Sequence, residues 1–198
     1  MKTLLWISRR AAAAACIAAA LGASTLSSHA ADVAQATPAQ GTAQLLLNGT
    51  GVRGDAAAGL YAATLHLEHK TSEPADVMLN RGTTQFRLVM LKDVKATQLT
   101  ELLTQGLIAN ANDDDLITLV SEIFEVGMLL SEQGTLAAGD SIEVVSHPAR
   151  GTTVSLQTAA PSAQSFANPR FLKVMMGIWL GEHPADPVLK RALLGQSS

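Results

Sequence analysis

The chain contains a single cysteine, Cys16, and it lies inside an uncharged apolar run from Ala11 to Ala23. Ahead of that run, Met1 to Arg10 carries Lys2, Arg9 and Arg10 and no acid. Behind it, a polar stretch ends in Ser28-His29-Ala30, with small residues at the two positions a signal peptidase reads. A basic start, a short apolar run and an A-x-A-like site make a secretory signal. The run is too short to span a bilayer as a permanent helix. The sequence therefore predicts a signal peptide over residues 1–30, cleavage after Ala30, and a periplasmic or secreted mature protein without cysteine. Disulfides are then excluded although the compartment would permit them. The fold must rest on its apolar core alone.

Two variants of this reading carry less weight. Ser8-Arg9-Arg10 hints at twin-arginine export, but the residues that usually follow the pair are missing. A lipoprotein signal wants a larger aliphatic residue three places before the cysteine, and Ala13 stands there.

Residues 31–43, rich in Ala, Gln, Thr and Pro, read as a disordered leader. Residues 44–195 read as one domain. Roughly 160 residues after the signal are enough for a sizeable core. The formal charge of the whole chain is −3, and removing three basic residues makes the mature part more acidic. No basic patch points to nucleic acid. No second apolar run points to a transmembrane anchor.

A coarse pass predicts a short strand over Gln44 to Asn48 and a turn at Asn48-Gly49-Thr50-Gly51. A buried strand follows over Gly59 to Glu68, then one or two helical turns at Pro74 to Asn80 and a strand at Phe86 to Leu91. Leu99, Leu102, Leu103 and Leu107 fall at helical spacing, which predicts a helix from Ala96 to Ala109. Asn112 is a natural N-cap, and Asp113 to Asp115 sit where a helix dipole favours negative charge. The helix they open carries Leu116, Leu119, Val120, Ile123, Phe124, Gly127 and Met128 as one apolar face. Ser141 to Ser146 and Thr152 to Gln157 pair as a hairpin, and Thr158 to Gln164 reads as loop. A helix over Asn168 to Leu180 turns Phe171, Val174, Met175, Ile178 and Trp179 inward, and a short helix, Val188 to Leu194, follows. Strands and helices come in runs, which argues α+β over a doubly wound sheet.

The familiar chemical motifs fail on context. Gly49-Thr50-Gly51-Val52-Arg53-Gly54 matches a dinucleotide fingerprint, but strand-like residues follow where that motif must open a helix. Asn48-Gly49-Thr50 matches a glycosylation sequon, and the turn reading is preferred. His66 and His69 would point to opposite faces of a strand and so share no metal easily. Asn110 to Asp115 lacks the glycine and the alternating acids of a calcium loop. There is no G-x-S-x-G. No catalytic residue, metal ligand or cofactor site is singled out.

Arg53 and Tyr61 are different. An arginine beside an apolar wall can hold a carboxylate bidentately, and a tyrosine hydroxyl can add a donor. The plain alternative is an exposed arginine in a turn and a tyrosine in the core.

Five segments then carry a resemblance. They are Leu47-Asn48-Gly49-Thr50-Gly51-Val52-Arg53, Leu60-Tyr61-Ala62-Ala63-Thr64-Leu65-His66-Leu67, Phe86-Arg87-Leu88-Val89-Met90-Leu91-Lys92-Asp93-Val94, Ile178-Trp179-Leu180-Gly181-Glu182-His183-Pro184 and Leu193-Leu194-Gly195. In this order they resemble the bacterial exported branch of the chalcone isomerase-like family, from about Gln44 to Gly195. The resemblance implies an antiparallel sheet covered on one face by helices, with a ligand cleft between the layers. It implies that Arg53 points into that cleft. The isomerases' catalytic tyrosine, lysine and asparagine fall near Leu99, Leu102 and Gly106, an aliphatic set that can neither position a water nor hydrogen-bond a phenolate. Tyr61 falls where the fatty-acid-binding branch has a tyrosine beside the ligand carboxylate.

Three functions follow as expectations. The first is a non-catalytic protein that binds an apolar carboxylate such as a fatty acid through Arg53 and Tyr61. The second is an isomerase or lyase in which Arg53 stabilises an oxyanion. The third is an interaction module whose cleft is filled by its own side chains.

Overall fold

The computed structural model describes residues 44–54 and 58–196. The signal peptide, its cleavage site and the leader lie outside the described residues. Among the described residues, eight strands and six helices come in runs. β1 is Leu46–Val52, β2 Tyr61–Leu67, β3 Thr84–Met90, β4 Val94–Lys95, β5 Thr135–Leu136, β6 Ser141–His147, β7 Gly151–Gln157 and β8 Ser162–Phe166. α1 is Pro74–Met78, α2 Ala96–Asn110, α3 Asp113–Thr118, α4 Val120–Ser131, α5 Arg170–Leu180 and α6 Pro187–Leu193.

Six strands form one sheet in the order β1-β2-β3-β6-β7-β8, and every neighbouring pair is antiparallel. β4 and β5 pair by themselves as a short second sheet. The main sheet is apolar on one face only, as strict alternation dictates. Tyr61, Ala63, Leu65 and Leu67 of β2 are buried, as are Phe86, Leu88 and Met90 of β3, Ile142 and Val144 of β6, and Val154 and Leu156 of β7. Their registers align them in rows: Leu65 opposite Phe86, Phe86 opposite Val144, Val144 opposite Val154. The other face is polar and partly exposed, with Gln85 of β3 donating to Glu143 of β6 at 2.6 Å.

The helices cover the apolar face. α5 is the central one; nine of its residues are buried, among them Phe171, Met175 and Trp179. α2 packs beside it through Leu99, Leu103 and Leu107. Asp115 of α3 is buried, and it receives Lys173 at 2.9 Å and Arg170 at 3.4 Å from α5. The α+β class and the one-sided helical cover are those the sequence implies.

Four local readings are corrected. The glycines of 48–51 form no turn: β1 runs straight through them, with a register shift between Leu47 and Gly49. They serve close approach. A Cβ at Gly49 would collide with the backbone carbonyls of Ala192 and Leu193, and one at Gly51 would lie 2.9 Å from Leu189. Asn48 clamps the same joint, donating to the Leu193 carbonyl at 2.8 Å and accepting from the Thr71 amide at 2.8 Å. Thr158 to Gln164, read as loop, contains the start of β8, a polar edge strand whose one buried anchor is Phe166. The helix opened by Asn112 breaks at Leu119 into α3 and α4. Its apolar residues wrap too far round the axis to face one way. Leu119, Val126 and Leu130 are buried, while Ile117, Val120, Phe124 and Met128 face outward.

The Gly49 contact yields a prediction. Valine at this position must push β1 away from the end of α6, and backbone cannot yield as a side chain can. Overpacking of this kind costs about 1–3 kcal/mol. For a domain of this size Gly49→Val should lower the thermal midpoint by about 5–10 °C. A melt followed by circular dichroism tests it, and an unchanged midpoint would mean that α6 is not seated on β1.

Candidate functional site

β1 and β2 continue to pair one step past their last ladder partners, Val52 and Ala62. The Arg53 amide donates to the Tyr61 carbonyl at 3.0 Å, and the Leu60 amide donates to the Arg53 carbonyl at 3.0 Å. Arg53 and Tyr61 are thus directly cross-strand, which places their side chains on one face within contact of each other. The guanidinium carbon lies 5.8 Å from the centre of the Tyr61 ring, within cation–π range. The sequence placed Arg53 just after a turn; it stands instead at the end of a strand, and the connection to Tyr61 follows it.

Tyr61 is completely buried. Its hydroxyl accepts the indole N–H of Trp179 at 2.9 Å, and Trp179 packs against Phe86 with ring centres 4.6 Å apart. A line of side chains therefore runs from Arg53 through Tyr61 and Trp179 into the space between sheet and helices. Burial pushes the Tyr61 hydroxyl up from its ordinary value, and the Trp179 bond and Arg53 charge do not overcome it. The phenol is neutral at physiological pH. Its oxygen already accepts from Trp179, so its own proton is left to donate.

Asp186 is a charge counterweight to Arg53. Burial alone would raise its carboxyl; amide donors from Gly54, Leu189 and Val188, and the Arg53 charge, outweigh that and hold it below its ordinary value. Its oxygens are taken up by backbone: Gly54 at 3.1 Å, Val188 at 2.8 Å and Leu189 at 3.1 Å, the last two as the N-cap of α6. It makes no ion pair with Arg53. Arg53 Nη1 is buried and has no hydrogen-bond partner among the described residues.

A fixed cation with a spare donor beside a neutral phenol with a spare proton is a cradle for a carboxylate. Two of the positions that the resemblance matched to the isomerases' catalytic groups are packed into the core. Leu99 is fully buried in the core, and Gly106 is pressed against Ile178, where a Cβ would meet Cγ2 at 2.6 Å. Beyond Trp179 the interior is nearly filled. An enclosed void of about 10 Å³ remains between Phe86, Trp179, Leu103, Val126 and Met175. Two larger hollows, of about 590 and 310 Å³, open on the surface near α1, and neither is lined by Arg53 or Tyr61. The chemistry and these two hollows thus lie apart. Among the described residues no three His, Cys, Asp or Glu side chains converge to hold a metal ion. No helix among them is long and apolar enough to cross a membrane.

The structure brings the two sequence candidates together and adds Trp179, which the sequence reading turned inward but gave no role. The signal was available: a buried indole must find an acceptor, and Tyr61 is the one tyrosine in the chain.

The sequence matches a family model described as chalcone isomerase-like over residues 26–195. No curated protein matches it significantly. Among solved structures it is similar to a fatty-acid binding protein of Arabidopsis thaliana. The TM-score is 0.56 at 12% identity, over 78% of this chain and 88% of that one. At this identity the likeness is one of fold.

Proposed function

Because the chain belongs to the chalcone isomerase-like family, we propose that it keeps the family's interlayer site for binding, not for catalysis, with an apolar carboxylate such as a fatty acid as ligand. The observation that carries the reading is the buried Nη1 of the half-buried Arg53, which has no hydrogen-bond partner among the described residues. A buried donor left without an acceptor is costly, and a carboxylate removes that cost while taking the proton Tyr61 has to spare. The tail would lie among the aliphatic side chains between sheet and helices. The fatty-acid binding described for the Arabidopsis structure supports the ligand class. The basic start and short apolar run of residues 1–30, read as a signal peptide, support an exported protein that works in the periplasm or outside the cell. An isomerase reading has no group at Leu99, Leu102 or Gly106 to move a proton.

One observation favours a second reading. A void of about 10 Å³ is no more than one water occupies, which suits an interaction module with a filled cleft. Native mass spectrometry of the mature domain, purified after export, separates the two. A co-purifying fatty acid, recovered by organic extraction and lost in Arg53→Ala, is the expected result. A clean unliganded mass, unchanged after incubation with fatty acids, would leave the interaction module.

A further inference from the structure

The binding reading raises a question of access, since the helical layer covers the void beside Trp179. We propose that the ligand tail enters and leaves between α2 and α4, through a seam whose mouth lies at Gly127, Thr100 and Thr104. This rests on the binding reading above. The seam is a separate small gap of about 20 Å³. It shares four walls with the inner void: Leu103, Val126, Leu130 and Met175. Moving these four side chains joins the gap to the void and opens a path to Trp179. Met175, unbranched and flexible, is the kind of side chain that repacks around a variable guest.

Three observations place the weakness here and not at another border. First, the packing is open. A Cβ built on Gly127 meets nothing within 4 Å, whereas one on Gly106 of α2 would strike Ile178. A glycine inside a helix is unfavourable relative to alanine, and no neighbour requires this one. Second, Thr100 Oγ1 is buried in the seam without a partner among the described residues, as befits an interface that does not close completely. Third, no side-chain hydrogen bond or ion pair joins α2 to α4 among the described residues. α4 is fastened on its other side: Gln164 of β8 donates to Glu125 at 2.7 Å, and Asn168 donates to Glu122 at 3.4 Å. It carries side-chain hydrogen bonds at the β8 side and apolar packing alone at the α2 side. The opposite border is shut by the backbone contact between β1 and α6 at Gly49.

The mouth is also apolar outside. Phe124 and Met128 flank Gly127 on α4, Val120 precedes them by a turn, and Ile108 lies one turn beyond Thr104 on α2. All four are exposed, at 66%, 46%, 63% and 66%. Such a rim gives a hydrocarbon tail an apolar surface before it is inside.

The test is stopped-flow binding of a fluorescent polyene fatty acid to the mature protein and to Gly127→Phe, which plugs the mouth from a position with room for a ring. Association and dissociation should both slow by about tenfold, a barrier change of one decade, with the dissociation constant little changed. Thr104→Phe plugs the same mouth from α2 and stands in if Gly127→Phe does not fold. A parent that binds while both plugged variants keep its rates would overturn the portal and leave the binding reading intact. A parent that does not bind the probe would overturn the binding reading, and the portal with it.

Discussion

Replacing Arg53 by methionine should weaken fatty-acid binding by on the order of 100-fold or more while leaving the unliganded protein as stable as before, or about 1 kcal/mol more so. The two effects have one origin. In the complex the guanidinium would meet a desolvated carboxylate, and truncating one partner of such a pair costs about 2–5 kcal/mol. In the unliganded protein the same half-buried group keeps a buried N–H that no described residue accepts. Replacing a buried donor that lacks an acceptor with apolar atoms of similar shape is close to neutral or stabilising. Against this stands the loss of a cation–π contact worth about 0.5–1 kcal/mol. Saturating fatty acid should raise the melting temperature of the parent, because a ligand at 100 times its dissociation constant adds about 2.7 kcal/mol. It should leave Arg53→Met unmoved. A ligand-induced shift of equal size in both proteins would place the carboxylate somewhere else. A large loss of stability in the unliganded variant would make Arg53 a structural residue.

Trp179→Ala carries the largest expected effect on stability. The indole is 2% exposed, stacks at a tilt on Phe86 and gives Tyr61 its hydrogen bond. Deleting it adds a cavity next to a void already present and strips the tyrosine oxygen of its donor. Losses of about 3–5 kcal/mol are usual for a buried tryptophan, which for a domain of this size lowers the midpoint by about 10–15 °C. Trp179→Phe keeps a ring against Phe86 and removes the N–H, so it should cost about 1–2 kcal/mol, in line with one buried hydrogen bond and modest repacking. Urea unfolding of the three proteins measures both steps. A Trp179→Ala loss below 1 kcal/mol would mean that the ring is not part of the core.

What the sequence disclosed depended on how local the cause was. β2, β3 and the β6–β7 hairpin announce themselves by alternation, because each buries one face against the helices. The Asn112 cap is visible for the same reason: its side chain accepts from the Asp115 amide, three residues on, at 2.7 Å. β1 was misread because its glycines answer to α6, at the other end of the domain. β8 was missed because Ser-Ala-Gln-Ser offers no alternation, and an edge strand with one anchor needs none. The division of α4 into a packed and an open side follows from where α2 lies, which no helical wheel records. The Arg53–Tyr61 pairing stands between these cases. Both residues were marked by their chemistry and by the family resemblance, but their cross-strand contact depends on a hairpin whose turn lies after Arg53 and not before it.

The Asn48 clamp has a consequence in time. Its hydrogen bond to Leu193 spans 145 residues, and the glycine beside it fits only when the final helix is in place. Closing so long a loop costs entropy before it returns any contact, and contacts of this kind slow folding more than they alter stability. Without α6 in place the β1 edge lacks the cover that Asn48 and Gly49 fasten, so the first strand of the domain depends on its last helix.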